Sequence, residues 1–119
     1  MAIIMGIIFY ISHQPGDFSS LPQIPGIDKL LHVIAYASLA AAFLYGLHPL
    51  AKQPSCRDVA AVVAVLFCIL YGISDEYHQS FIPGRFVSVL DVAADGFGAL
   101  FAVGWWLQYI IGDDHKDSP

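Results

Sequence analysis

The polar residues that could perform chemistry lie in two short stretches of an otherwise apolar chain. One stretch runs from Asp28 to His32, and the other runs from Asp75 to Asp95. Imidazole titrates near neutral pH and suits acid–base catalysis, carboxylates orient histidines or bind cations, and a guanidinium holds a phosphate or carboxylate by two hydrogen bonds. The candidate catalytic residues are His32, Asp75, Glu76, His78 and Asp95. The candidate substrate-binding residues are Asp28, Lys29, Gln79, Arg85, Ser88 and Asp91.

The spacing of these residues places several of them on shared helical faces. Residues four apart lie one above the other on a helix, and three pairs have this spacing. The pairs are Asp28 with His32, Asp75 with Gln79, and Asp91 with Asp95. An acid at the centre of a membrane helix costs roughly 2.5 to 3.5 kcal/mol, so Asp95 must face a partner or a wet cavity.

Some of these residues also have simple structural explanations. Asp28 fits the N-cap of a second helix, and Asp91 fits a capping box that begins at Ser88. Lys29 can extend to the membrane interface, and Pro83-Gly84 is typical of a turn. Asp75 and Glu76 are harder to explain, because carboxylates near a helix C-terminus are repelled by the exposed carbonyls.

The sequence leaves metal binding and cofactors unassigned. Carboxylates and imidazoles from separate helices are common metal ligands. However, the chain has no H-E-x-x-H motif and no Cys pair with metal-ligand spacing, and acids close to a Lys and an Arg are equally well explained by ion pairs.

The composition indicates an integral membrane protein. Of 119 residues, 57% are hydrophobic and 13% charged, and the mean hydropathy is +0.65. Four apolar stretches are separated by Pro, Gly and charged residues: Met1 to Ile11, Leu30 to Leu47, Val59 to Ser74, and Val89 to Ile111. Since a span takes about 20 residues, the second and third stretches qualify once flanking residues are counted, the fourth is long enough to span with some tilt, and the first is short. We therefore expect an all-α bundle of four transmembrane helices with short loops. A single domain is predicted over residues 1–112, with a polar cytoplasmic tail over 113–119.

Four alternating spans would bring the two polar stretches to the same membrane face. Small residues are expected to pack the helices, notably Gly96, Gly98 and Gly104 on the fourth. Pro49 and Pro54 are expected to delimit the second loop, with a capping box from Ser55 to Asp58 starting the third helix.

The expected partner is the lipid bilayer. The net charge is -5, and the five basic residues are scattered, so nucleic-acid binding is excluded.

Cys56 and Cys68 lie twelve residues apart on one predicted helix, about 18 Å at about 1.5 Å per residue, which is too far for a disulfide.

Several strings in the chain resemble the VanZ-like family of bacterial membrane proteins. They are Asp28-Lys29-Leu30-Leu31-His32 with Ala35-Tyr36, Tyr71-Gly72, Asp75-Glu76-Tyr77-His78-Gln79-Ser80-Phe81-Ile82-Pro83-Gly84-Arg85, and Asp91-Val92-Ala93-Ala94-Asp95 with Gly98. The resemblance implies a multi-pass, four-helix protein of the bacterial inner (cytoplasmic) membrane. The name-giving member is associated with low-level resistance to the glycopeptide antibiotic teicoplanin. The resemblance does not imply one reaction, and the first helix is shorter than the family pattern suggests.

Two functional hypotheses follow, and they leave open whether the protein is an enzyme. In the first, the polar residues form an enzyme-like site at the outer membrane face that acts on the head group of a lipid or of a lipid-linked cell-wall precursor. In the second, they form a non-catalytic scaffold or a module that binds a lipid or a partner. An ion-coupled transporter is disfavoured, because four helices without a broken central segment enclose little space. The oligomeric state is left open.

The orientation in the membrane follows from the basic residues of the loops. Lys52 and Arg57 flank the second loop, whereas each of the other loops has one basic residue, which predicts that the second loop and both termini are cytoplasmic.

Labelling with a membrane-impermeant thiol reagent tests this orientation. In a background lacking Cys56 and Cys68, a cysteine at position 83 is expected to react in intact cells and a cysteine at position 52 only after permeabilisation. The opposite pattern would mean that the orientation is inverted.

Overall fold

The structure is a computed structural model that describes residues 1–15, 26–51 and 53–114. Lys52 and the end of the tail, residues 115–119, lie outside the described residues, so the orientation stays a prediction.

Four helices form the described part of the chain, which contains no strand: α1 (Ala2–Ser12), α2 (Ile27–Ala51), α3 (Pro54–Gln79) and α4 (Val89–Asp114). This confirms the all-α, four-helix prediction. Three helices contain segments long and apolar enough to cross a membrane, namely Ile27–Pro49, Pro54–Gln79 and Val89–Tyr109. With 11 residues, α1 covers only about 16 Å of a hydrocarbon core that is about 30 Å thick. The protein is thus a multi-pass membrane protein in which the spanning role of α1 stays a prediction.

The start of α2 differs from the sequence-based expectation. The helix begins at Ile27, so Asp28 lies in its first turn and is not the N-cap. The Gly26 carbonyl accepts a hydrogen bond from the Leu30 N–H, and Gly26 has a φ of 85°. Glycine adopts this left-handed conformation without strain, and the helix that follows it begins two residues earlier than a capping Asp28 would require.

The second loop is shorter than predicted. Pro49 lies inside α2, which continues to Ala51, while Pro54 is the first residue of α3. Proline is well suited to this first position, because its missing N–H would have no helical partner there. Ser55 therefore lies within the helix, and the predicted capping box from Ser55 to Asp58 is wrong.

The core is built from small and apolar side chains. Near the polar end of the bundle, Tyr36, Leu39, Cys68 and Ala99 are buried together. A second cluster of Leu44, Ala61, Ala64 and Val103 lies farther along the same helices. Cys56 and Cys68 are both free thiols on α3, as the spacing predicted.

A glycine contact brings α2 and α4 unusually close together. A Cβ atom on Gly98 would overlap the backbone carbonyl of Val33, so only glycine permits this approach. Gly96 faces Ile69 of α3, which also agrees with the predicted packing role. Gly104 differs, since a Cβ there would meet open space. Its predicted packing role is wrong for contacts within the chain.

We expect Gly98→Ala to destabilise the bundle. The added methyl group must push α2 away from α4, and overpacking of this kind costs about 1 to 3 kcal/mol. Thermal unfolding in detergent should show a clear fall in Tm. The matched control is Gly104→Ala, which should keep or raise the Tm because alanine favours helix. Equal changes in the two variants would contradict the close-approach argument.

Candidate functional site

The predicted site residues lie at one end of the bundle, where α1 and α3 end and α2 and α4 begin. Their contacts form two neighbouring groups. The His32 group consists of Asp28, Lys29, His32, Glu76, Ser88, Asp91 and Asp95. The Asp75 group consists of Ser12, His13, Asp75, His78, Gln79 and Arg85, which contact α1 or belong to it. The sequence predicted one contiguous site, and the structure divides its contacts between these two groups.

Asp95 is the most deeply buried acid of the site. It is 1% exposed, and its Oδ1 lies 2.8 Å from Nδ1 of His32. Gly72 of α3 makes room for this carboxylate, because a Cβ atom on Gly72 would overlap Asp95 Oδ2. The expectation that Asp95 faces a partner is confirmed, and the partner is a histidine on another helix.

Glu76 explains how an acid is accommodated at the C-terminal end of α3. The Ser88 N–H donates to Glu76 Oε2 at 2.7 Å, at the point where α4 begins. The carboxylate therefore lies beside the positive end of the α4 dipole, although it belongs to the negative end of its own helix. Glu76, and not Asp91, supplies the acceptor for the Ser88 N–H, so the predicted capping box is wrong.

Asp91 instead contacts an amine. Lys29 Nζ forms a close ion pair with Asp91 Oδ1, and it also donates to Asp28 Oδ2 at 2.7 Å. The Lys29 side chain is 34% exposed, which places this ion pair at the rim of the site. Asp28 thus helps to hold Lys29, which lies between two carboxylates.

The Asp75 group is a compact hydrogen-bonded network between α1 and α3. Ser12 Oγ donates to Asp75 Oδ2 at 2.6 Å. Gln79 Nε2 lies 3.1 Å from the same oxygen and 3.3 Å from Ser12 Oγ. All three residues are buried, so their mutual hydrogen bonds replace the water that each polar group has lost.

His78 and Arg85 also contact α1. His78 Nε2 lies 3.1 Å from His13 Nδ1, and the Phe9 ring packs against the His78 ring. Arg85 donates from Nε to the Gln14 carbonyl and from Nη2 to the Ile11 carbonyl, both at 3.0 Å. Arg85 therefore satisfies carbonyls at the end of α1, a use that the sequence-based prediction of a substrate clamp did not include.

The division into two groups follows from helix geometry. Asp75 and Glu76 are consecutive on α3, so their side chains leave the helix about 100° apart. Asp75 consequently meets Ser12 of α1, while Glu76 meets Ser88 at the start of α4. Assigning both acids to one site overlooked this angle.

Sequence reasoning missed three residues that contribute to these groups. Ser12 and His13 follow the first apolar segment directly, and helix alternation alone would have placed them at the polar end. Tyr36 follows His32 by one turn and is 1% exposed. Its ring is nearly parallel to the His32 ring, with 6.4 Å between the ring centroids. Its hydroxyl is buried with no hydrogen-bond partner. The i, i+4 spacing from His32 was the available signal.

The His32 group has the geometry of an acid–base site. Because Asp95 engages Nδ1, Nε2 is the nitrogen of His32 that remains to accept or donate a proton. Glu76 Oε1 and Asp95 Oδ2 are buried and have no hydrogen-bond partner among the described residues, whereas the buried Asp91 Oδ1 lies against Lys29 Nζ. His32, Glu76 and Asp91 each offer a ligand atom, and these atoms lie within 4.8 Å of one another, which makes them the candidates for holding a cation.

Comparison with known proteins identifies the family. No curated protein and no solved structure matches the chain. A model of the VanZ/LLP1 family matches residues 1–112, which include all four helices up to the last two residues of α4 and every residue of both polar groups. The chain therefore belongs to the VanZ/LLP1 family.

Proposed function

We propose that the His32 group binds the head group of a membrane lipid or of a lipid-linked cell-envelope precursor and acts on it by acid–base chemistry. The observation that carries this proposal is the incomplete pairing of buried carboxylates. Within the described part of the chain, Glu76 Oε1 and Asp95 Oδ2 have no hydrogen-bond partner, although both residues are at least 97% buried. A purely structural network gains from complete pairing, and partial satisfaction is costly. A bound ligand would complete it.

The proposed acid–base residue is His32. A carboxylate that accepts a hydrogen bond from one ring nitrogen holds the imidazole in one tautomer and orientation, as the aspartate of a catalytic triad does. Asp95 stands in this relation to His32. The other nitrogen, Nε2, would exchange the proton with the head group.

The position of the group along the helices suits a head-group ligand. The Lys29 side chain, near the start of α2, is one-third exposed, whereas Asp95 is buried nearly two turns inside α4. A ligand at the membrane interface would thus pass Lys29 and reach His32, which lies between Lys29 and Asp95. The orientation predicted from the loops puts this end of the bundle at the outer leaflet.

A role in antibiotic response is the finer part of the proposal. If the protein lies in a bacterial inner membrane, modification or sequestration of a lipid-linked precursor would alter the binding of a glycopeptide antibiotic to the cell envelope. This agrees with the teicoplanin resistance associated with the name-giving family member.

The Asp75 group favours the second hypothesis, a structural role, for its own part of the site. Ser12 and Gln79 both donate to Asp75 Oδ2, Gln79 also donates to Ser12, and Arg85 donates to the Ile11 carbonyl of α1. We therefore assign ligand binding to the His32 group and attachment of α1 to the Asp75 group.

Asp95→Asn tests the ligand-binding role. The change keeps the size of the side chain and an oxygen that can accept a hydrogen bond, but it removes the negative charge that stabilises a protonated His32. We expect at least a tenfold fall in co-purifying lipid per folded protein, measured by native mass spectrometry, and loss of any protection against teicoplanin in a host that lacks its own copy. The matched control is Asp58→Asn, which removes an exposed acid at the opposite end of the bundle.

Stability must be measured beside lipid retention, because removing one member of a buried pair can cost about 3 to 5 kcal/mol. His32→Gln is the second variant, since His32 is less buried than Asp95. Retention of lipid at the parent level in both variants would refute the proposed role. Loss in strict proportion to the fall in Tm would identify a structural network instead.

Ser12→Ala tests the structural role of the Asp75 group. It removes the donor that lies 2.6 Å from Asp75 and should destabilise the protein by about 1 to 3 kcal/mol. Lipid retention per folded molecule should stay unchanged. A selective loss of lipid with an unaltered Tm would move the ligand-binding role to this group.

A further inference from the structure

We propose that His32, Glu76 and Asp91 bind one divalent transition-metal ion and that Asp95 positions His32 for this purpose. The proposal rests on the function proposed above for what the ion does: an ion on His32 Nε2 would take the place of the proton that this nitrogen exchanges with the head group in the metal-free protein. The binding itself is argued from the geometry of the His32 group.

The three candidate ligand residues come from three different helices and bring one ligand atom each close together. One atom each from His32 (α2), Glu76 (α3) and Asp91 (α4) lie within 4.8 Å of one another. Ligands about 2.1 Å from a tetrahedral ion lie about 3.4 Å apart, so small side-chain rotations would close this triangle around a metal. Three protein ligands with one open position are typical of catalytic metal sites.

Glu76 provides an independent indication of a missing ligand. It is 3% exposed, and the Ser88 N–H engages only its Oε2. The other oxygen, Oε1, is buried without a hydrogen-bond partner. The bond from Ser88 fixes the orientation of the carboxylate, as outer-shell partners of metal-binding carboxylates do. A metal would satisfy the oxygen that no donor reaches.

His32 has the outer-shell partner that metal-binding histidines normally have. Such histidines almost always donate their other ring N–H to a carboxylate, a carbonyl or water. Asp95 Oδ1 lies 2.8 Å from His32 Nδ1, which leaves Nε2 as the ligand nitrogen. Asp95 is thus a positioning residue in this site, and its depth in the bundle protects the hydrogen bond from water.

The charges of the group also call for a cation. Glu76, Asp91 and Asp95 are largely buried acids, and in the His32 group only Lys29 supplies a permanent positive charge to them. Lys29 contacts Oδ1 of Asp91, and a carboxylate has a second oxygen to offer. Uncompensated charge within a membrane span is costly. An anionic head group would increase the repulsion unless a cation lay between it and these acids.

The ligand set selects the class of ion. One imidazole with two carboxylates suits zinc, manganese or iron, whereas calcium and magnesium sites are built from oxygen ligands and thiolate sites favour softer ions. Such an ion would bind a phosphate or carboxylate oxygen of the head group and polarise it.

Direct metal binding tests the proposal. Protein purified in detergent, with its affinity tag removed, is stripped with a chelator and titrated with Zn²⁺ and with Mn²⁺ against a competing fluorescent chelator. We expect saturation at one ion per chain for at least one of these metals. Glu76→Gln and His32→Gln should weaken binding at least 100-fold, and Asp95→Asn should weaken it by about 10- to 100-fold through the loss of outer-shell support.

The controls match each variant in chemistry. Asp58→Asn and His48→Gln remove an acid and a histidine at the other end of the bundle and should leave the affinity unchanged. His78→Gln tests the neighbouring His13–His78 pair, and a loss of binding there instead would overturn the assignment to the His32 group. Where a variant fails to fold, the absorption spectrum of Co²⁺-loaded parent protein tests the site instead. We expect a spectrum typical of Co²⁺ bound by imidazole and carboxylate ligands. A spectrum of hydrated Co²⁺ would refute the site.

The outcomes separate this inference from the proposed function. The metal site would be overturned, even if lipid is retained, by either of two results. One is that the parent protein does not bind one ion per chain, and the other is that binding persists in both Glu76→Gln and His32→Gln. One-to-one metal binding without head-group selectivity would uphold the site and overturn the lipid function.

Discussion

The architecture depends on the burial of one carboxylate inside a membrane-spanning bundle. Asp95 is paired with His32 of α2 and lies against Gly72 of α3, so it ties three helices together at one depth. The pairing restricts its neighbours: Gly72 must lack a side chain to admit the acid, and Gly98, one turn farther along α4, must lack one to let α2 approach. In lipid, where apolar association contributes little, such polar pairs and small residues determine how helices fit together.

The two polar groups illustrate different uses of buried polarity. In the Asp75 group, Ser12 and Gln79 both donate to one oxygen of Asp75, and no side-chain oxygen or nitrogen of these three residues is buried without a hydrogen-bond partner among the described residues. In the His32 group, each of two acids uses one oxygen and leaves the other without a hydrogen bond. Complete pairing makes a network rigid, whereas incomplete pairing stores free energy that a ligand can recover. The difference between neighbouring networks of similar composition is the reason for assigning them different roles.

Much of the fold was predictable from the sequence, because helix number and the meeting of the polar segments follow from apolar length and alternation. The need of Asp95 for a partner was predictable from the cost of burying it. The partners themselves were harder to foresee. The acceptor for the Ser88 N–H proved to be Glu76, twelve residues away and on another helix, where local capping rules pointed to Asp91. Likewise, Arg85 donates to the Gln14 and Ile11 carbonyls, because the way in which the helices cross determines which unpaired backbone carbonyls lie within its reach.

The attachment of α1 has a consequence for the order of assembly during synthesis. Ser12 is held by Asp75, which follows it by 63 residues, and the Ile11 carbonyl is held by Arg85, which follows it by 74. The 11 residues of α1 cover only about 16 Å of a hydrocarbon core that is about 30 Å thick, and both contacts lie at its C-terminal end. Both contacts form only after α3 and the segment that follows it have been synthesised, so the attachment of α1 is a late step in the assembly of the bundle.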